Sequence, residues 1–283
     1  MVWRREDPQG NEAAKCRYDL VPYLGNTCLD IGCGPHKVFP HFIGLDSGKD
    51  TGLFGIEMKP DITGECTRIP LFGDGAFDTV FSSHTLEHIE DHEAALAEWW
   101  RLVRVGGYLI LYLPHKDLYP NIGEAHTNPD HKHDFVEEDI VRAMAAAGAD
   151  WTLLVSEKRD QLQEYSFLQV YRKEAAGSGH TVAIESKPEK SAAVVRLGAY
   201  GDALWAASVL PGLKDEGYHV TVYTEKAGAE VLAHDPHIDR IIVLPHQLFD
   251  DIDLMLYFVW EARKYGRFIN LTGTVETRLL MHP

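Results

Sequence analysis

Residues 28–35 read Cys-Leu-Asp-Ile-Gly-Cys-Gly-Pro. A short apolar run ends in a carboxylate and then two glycines one residue apart. A chain of this kind must leave a strand through a tight turn whose backbone a ligand can approach closely. In open α/β sheets ligands sit beyond the carboxyl ends of the strands, so this turn is the first candidate site. Asp46 closes the next apolar run, His41–Leu45. An acid at that position can take both hydroxyls of a ribose, while Asp30 suits a cationic group such as an ammonium.

The rest of the chain alternates strand and helix signals. Thr27–Ile31, Phe42–Leu45 and Phe77–Ser82 read as strands. Leu96, Trp99, Trp100 and Val103 fall at helical spacing, and Gly106-Gly107 is expected to stop that helix. Tyr108–Leu113 reads as a strand buried on both faces. Glu137–Ala147 reads as a helix, and Trp151–Val155 and Ser166–Arg172 as an antiparallel pair. Residues 175–190 are rich in Gly, Ser, Lys and Pro and read as a linker. From Ala192 the alternation resumes. Ala192–Leu204 is again strand, glycine loop and helix; His219–Thr224, Arg240–Leu244 and Tyr265–Leu271 are strands, and Glu225–Ala233 is a helix. The expected organisation is two α/β units in tandem, 1–174 and 191–283, joined by that linker.

Charge narrows the partners. There are 43 acidic against 27 basic residues, a net charge of −16. Nucleic acid needs a basic face, and an anionic membrane repels the same surface, so neither is an expected partner and a small-molecule substrate stays open. Met1–Gly10 is polar and of mixed charge, without signal-peptide character. The longest apolar run, Leu254–Trp260, is too short to span a bilayer. Cys16, Cys28, Cys33 and Cys66 contain no C-x-x-C pair and read as reduced thiols of a cytoplasmic protein. The oligomeric state is left open.

The ligand class follows from the glycine turn. A nicotinamide fingerprint needs a third glycine and a ribose acid about 20 residues on. Here the third position is Lys37, and Asp46 follows Gly34 by only 12 residues. A ligand with an amino-acid end, a nucleoside end and no phosphate fits better, which describes S-adenosylmethionine.

These residues resemble the class I S-adenosylmethionine-dependent methyltransferases, in particular the group called type 11. Asp30-x-Gly32-x-Gly34 looks like the family's first motif, and Asp46 like its ribose acid. Asp61-Ile62, followed by Ile69-Pro70-Leu71, resembles the stretch whose acid reaches the adenine amino group. Phe77-Asp78-Thr79-Val80, then Ser83-His84-Thr85-Leu86-Glu87-His88-Ile89, resembles the fourth strand and the loop under the cofactor. Arg101–Gly107 looks like the turn before the fifth strand, with Val105 where the family usually has proline. The resemblance covers roughly residues 25–172 and implies a Rossmann-like, seven-stranded α/β domain. It also implies S-adenosylmethionine bound by Asp30, Gly32, Gly34, Asp46, Asp61, Ile62, Ser83 and His84. The crossover from Gly34 to Phe42 is too short for a full helix, as in short-loop members. Asp78 reads as structural, Trp99 and Trp100 as core, and His88 as a packing or turn residue.

Methyl transfer from a sulfonium is an in-line displacement, so the protein must mainly align acceptor, methyl and sulfur. A hydroxyl acceptor also benefits from a general base. The loop Pro114–Phe135 holds four of the chain's 15 histidines, and histidine titrates near neutrality. His115, His126, His131 and His133 are therefore the candidates for base or acceptor positioning, unresolved among themselves. A metal reading on His131-x-His133 with His126 and an acid lacks a sharp signature, so no metal is assigned; a plain solvated loop is the other reading. Family members with a similar His-rich insert act on sugars or other cell-surface precursors, which the resemblance implies for this chain.

Residues 191–278 resemble the amino-terminal half of the family 9 glycosyltransferases, the heptosyltransferases of lipopolysaccharide biosynthesis. Arg196-Leu197-Gly198-Ala199-x-Gly201-Asp202, Val220-Thr221-Val222 and His234–Asp239 carry that likeness. It implies a second Rossmann-like domain, half of a GT-B fold, with Asp202 as base on an acceptor hydroxyl. A helix cap is an equally good use of Asp202. The glycosyltransferase-like stretch runs out after Thr277-Arg278-Leu279-Leu280, so no sugar transfer is expected from this chain alone. Two other readings compete: a glycosyltransferase with an accessory methyltransferase domain, and a non-enzymatic binding module in polysaccharide assembly.

Overall fold

The structure is a computed structural model that describes residues 11–48, 59–147, 150–160, 164–184, 188–244 and 251–272. The Thr277–Leu280 stretch lies outside the described residues. The chain divides into two compact units, Met1–Glu185 and Ser186–Pro283.

The first unit begins with a one-turn helix, α1 (Ala13–Cys16), and a 3-10 segment, Arg17–Tyr23. Its sheet is built from β1 (Cys28–Ile31), β2 (Ile43–Asp46), β3 (Ile62–Thr63), β4 (Phe77–Ser83), β5 (Val103–Pro114), β6 (Trp151–Arg159), β7 (Ser166–Lys173) and β8 (His180–Val182). The spatial order is β3-β2-β1-β4-β5-β7-β6-β8. The first five strands run parallel, and β7 is antiparallel to both β5 and β6. Among the described residues this sheet has eight strands, where seven were expected. The eighth comes from the segment read as a linker: His180–Val182 pairs parallel with β6, Trp151 opposite His180. Composition alone misses such a strand, because all three of its residues are exposed and it carries no buried alternation.

The central strands β1 and β4 are almost wholly buried, which explains their unbroken apolar runs. Helix α2 (His92–Leu102) starts at Asp91, whose side chain accepts from Ala94 N at 3.0 Å. Its apolar stripe buries Ala95, Leu96, Trp99, Trp100 and Leu102. The glycine pair does not end this helix; α2 stops at Leu102 and β5 begins at once. Instead Gly106, at φ +80°, lies in a bulge: Phe77 pairs with Val103, but Thr79 pairs with Tyr108. Asp78 occupies that bulge, accepting from Thr27 N at 2.8 Å and Thr27 Oγ1 at 3.1 Å and ion-pairing with Arg104. It ties β4 to the entry of β1, the structural role expected of it. Helix α3 (Glu137–Ala146) buries Ile140, Ala143 and Met144 against the same core.

Trp99 and Trp151 are the largest fully buried side chains of that core, and the Trp99 indole N–H donates to Cys66 O at 2.8 Å. Trp99→Ala is expected to cost unit 1 about 3–5 kcal/mol, the indole hydrogen bond being lost with the packing. Denaturant unfolding followed by near-ultraviolet circular dichroism measures it; a change below about 1 kcal/mol would contradict the packing.

The second unit is a four-stranded parallel sheet, ordered β11-β10-β9-β12. Its strands are β9 (Ser191–Val195), β10 (His219–Thr224), β11 (Arg240–Val243) and β12 (Arg267–Asn270). Helices α4 (Tyr200–Ala207), α5 (Leu210–Asp215), α6 (Lys226–Leu232) and α7 (Asp251–Ala262) connect them. The apolar run Leu254–Trp260 is thus one part of α7. No helix among the described residues is long and apolar enough to cross a membrane.

Candidate functional site

In the first sheet β1 pairs with β2 on one side and β4 on the other. The connections therefore diverge at the carboxyl end of β1, which opens a crevice there. The glycine turn occupies it. Gly32 N and Cys33 N both donate to Leu45 O, at 2.8 and 3.3 Å, so the turn folds over the end of β2. Gly32 has φ +70° and Gly34 φ +54°. A Cβ on Gly32 would stand 2.1 Å from Thr85 Oγ1, so only glycine fits between turn and β4 loop.

The acids at this edge do different work. Asp46 holds the turn: its Oδ2 accepts from Gly34 N at 3.0 Å and its Oδ1 from Gly48 N at 2.9 Å. Asp30 is 2% exposed and accepts from Val38 N at 2.8 Å. Burial pushes its carboxyl up to about 7, with the Asp46 charge adding to the rise and Val38 N and Lys37 opposing it. Asp61 accepts from Gly44 N at 2.8 Å and pairs with Lys37 Nζ at 2.8 Å. The Gly44 amide, and then Lys37, hold its carboxyl below the usual range. Ile62 opens β3 and packs against the core. Ser83 ends β4 with its hydroxyl oxygen buried and without a hydrogen-bond partner. His84 follows at φ +47°, its Nε2 2.8 Å from Ser166 Oγ. Burial pushes this imidazole down to about 3, so it is neutral at physiological pH.

The structure separates the four loop histidines. His115 is buried with both ring nitrogens engaged: Nδ1 accepts from Asp117 N at 3.0 Å and Nε2 lies 3.0 Å from Glu137 Oε2. That leaves no lone pair for a substrate proton. His133 Nε2 lies 3.0 Å from Ile89 O and 3.1 Å from Glu90 O, and its ring stacks on Phe135. It fastens the loop to the residues after β4. His126 is exposed, at φ +72°. His131 is buried beneath Tyr119, with ring centroids 5.2 Å apart, and burial pushes it down to about 4.

Glu87 joins His131 there, a residue quoted in the sequence motif but not singled out. It lies in the 3-10 turn Leu86–His88 after β4 and is wholly buried. Neither carboxylate oxygen accepts a hydrogen bond from another residue, and burial pushes the group up to about 8. The one signal in the sequence was an acid adjacent to a histidine just past a strand end. In the second unit Asp202 sits in the first turn of α4, accepts from Ala199 N at 3.2 Å and ion-pairs with Arg196. Its carboxylate is engaged as a helix cap. The four cysteines are free thiols, with Cys16, Cys28 and Cys33 buried.

A sheet of this order, with a glycine turn and an acid at its switch point, is a Rossmann-like α/β domain. Residues 29–111 match the family model described as a methyltransferase domain. That match supports a class I methyltransferase domain in the first unit, and S-adenosylmethionine is the cofactor that such a domain implies. Ajmaline N-methyltransferase of Rauvolfia serpentina is 30% identical over 136 residues, 45% of this chain and 43% of that protein. Demethylmenaquinone methyltransferase of Beutenbergia cavernae is 28% identical over 160 residues, 49% of this chain and 64% of that protein. The chain spans about half the length of these curated relatives. Among solved structures, a SAM dependent methyltransferase from Archaeoglobus fulgidus is 17% identical with a TM-score of 0.44, covering 57% of this chain and 92% of that one.

Proposed function

We propose that the first unit binds S-adenosylmethionine over the Gly32–Gly34 turn and transfers its methyl group to a hydroxyl of a sugar or cell-surface glycan precursor. The observation that carries this reading is Asp46. Its carboxylate sits at the glycine turn, tied to Gly34 N and Gly48 N, one strand across from the end of β1. A carboxylate so placed keeps lone pairs for the two hydroxyls of a ribose. The loop Pro114–Phe135 follows the carboxyl end of β5 and supplies the acceptor side, where His131 and Glu87 are the ionisable groups brought together. The hydroxyl acceptor rests on the resemblance of this His-rich loop to sugar-modifying family members.

The second unit supports a companion reading as a glycosyltransferase-like module that binds the acceptor. Its parallel sheet places the glycine loop Gly198–Gly201 after β9, between β10 and β12. Titration calorimetry with S-adenosylmethionine, followed by methyl uptake from the labelled cofactor across sugars and nucleotide-sugars, tests the methyl-transfer reading. One equivalent bound and a sugar methylated is the expected result. Absence of cofactor binding rejects the first reading; methylation confined to amines or carbon acids rejects the hydroxyl acceptor.

A further inference from the structure

Three side chains meet around one carboxylate oxygen beside the cofactor edge. Glu87 Oε1 lies 3.8 Å from His88 Nε2 and 4.0 Å from His131 Nε2. One ligand atom from each of the three lies within 4.8 Å of the others. The His88 and His131 rings stand at 85° with centroids 4.8 Å apart, so their nitrogens converge from different directions. His84 Nδ1 is a further 3.9 Å neighbour of the same oxygen. The other ring nitrogen, Nε2, lies 2.8 Å from Ser166 Oγ.

These separations exceed a hydrogen bond. They suit atoms that share a cation: a tetrahedral ion with bonds of about 2.0–2.2 Å sets its ligand atoms about 3.3 Å apart. About half an ångström of side-chain movement closes the set. A wholly buried carboxyl that accepts from no other residue is costly to ionise unless a cation meets it. The side chain of His88 is 32% exposed, which leaves a path from solvent.

The set is also built by the fold. Lys132 N and His133 N donate to Glu87 O at 2.7 and 3.2 Å, which clamps the loop carrying His131 onto the turn carrying Glu87. Tyr119 packs against the His131 ring and limits its rotation. The sequence pattern grouped His131 with His133, His126 and an acid; His126 lies on the surface, and His133 faces the carbonyls of Ile89 and Glu90.

We propose that Glu87, His88 and His131 form a binding site for a divalent first-row transition ion, zinc by its donor set, with one coordination position open. Two imidazoles and a carboxylate leave that fourth position for water or an oxygen ligand. The inference stands apart from the methyl-transfer reading, because metal occupancy is measured without S-adenosylmethionine.

The test uses the full chain, stripped with a chelator and titrated with Zn²⁺ by calorimetry and with Co²⁺ by visible absorption. One equivalent is expected, with Co²⁺ bands of a low-coordinate nitrogen–oxygen site. Glu87→Gln, His88→Gln and His131→Gln are each expected to weaken binding by about tenfold or more. His234→Gln, in the second unit, is expected to leave it unchanged. Should Glu87→Gln fail to fold, His88→Gln decides, because its side chain is partly exposed. No stoichiometric binding, or binding that survives His88→Gln and His131→Gln, overturns the proposal.

Discussion

Asp46→Ala is expected to weaken S-adenosylmethionine binding by about 100-fold or more. The magnitude comes from the ribose: two hydroxyls on one carboxylate are charge-assisted hydrogen bonds, together about 3 kcal/mol net. The substitution also frees Gly34 N and Gly48 N, so the turn under the ligand loses its brace. Asp46→Asn keeps the shape and one acceptor oxygen, and its affinity is expected to fall between wild type and Asp46→Ala. Titration calorimetry with S-adenosylmethionine and with S-adenosylhomocysteine reads both variants. Since both ligands carry the same ribose, both should weaken together. Wild-type affinity in Asp46→Ala would remove the central support for the cofactor site.

The second large effect concerns stability against pH. Asp30 rises from an ordinary 3.8 to about 7 in the folded chain because it is buried. A carboxyl with a raised folded value stabilises the fold while protonated, fully so below the unfolded value. That stabilisation is lost as pH climbs from about 4 to about 7. About three pH units at about 1.4 kcal/mol each make a loss of about 4 kcal/mol by pH 8. Asparagine at 30 stays neutral throughout and still offers an oxygen to Val38 N. The stability of Asp30→Asn relative to wild type should therefore increase between pH 4 and 7 and level off above. Taking the difference between the two proteins cancels other titrating groups, such as His84 and Glu87. Denaturant unfolding across that range measures it; a flat difference would show that Asp30 is ionised in the fold at an ordinary pH.

The two predictions mark how far local sequence reaches. The glycine turn, the acid closing β2, the α2 stripe and the late antiparallel pair were all legible. Each is a short-range pattern: an apolar period, a turn residue or a chain break. The bulge at Gly106 was not legible, since the bend depends on Asp78 of a neighbouring strand. Nor was β8, whose pairing partner lies in β6.

Ionisation states were hidden for the same reason. Asp30 and Asp46 look alike in the sequence, and both read as negative. Burial raises the carboxyl of Asp30, and burial is a property of packed neighbours. The loop histidines likewise formed one undifferentiated group. Folding gave His115 to Glu137, His133 to backbone carbonyls, and His131 to Glu87.

What the sequence determined alone is the strand–turn–acid unit, because its residues are contiguous and their backbone preferences act within a few positions. The meeting of Glu87 with His131 was decided only in three dimensions. Residues 44 positions apart come together because the loop's amides donate to the Glu87 carbonyl in the turn that follows β4.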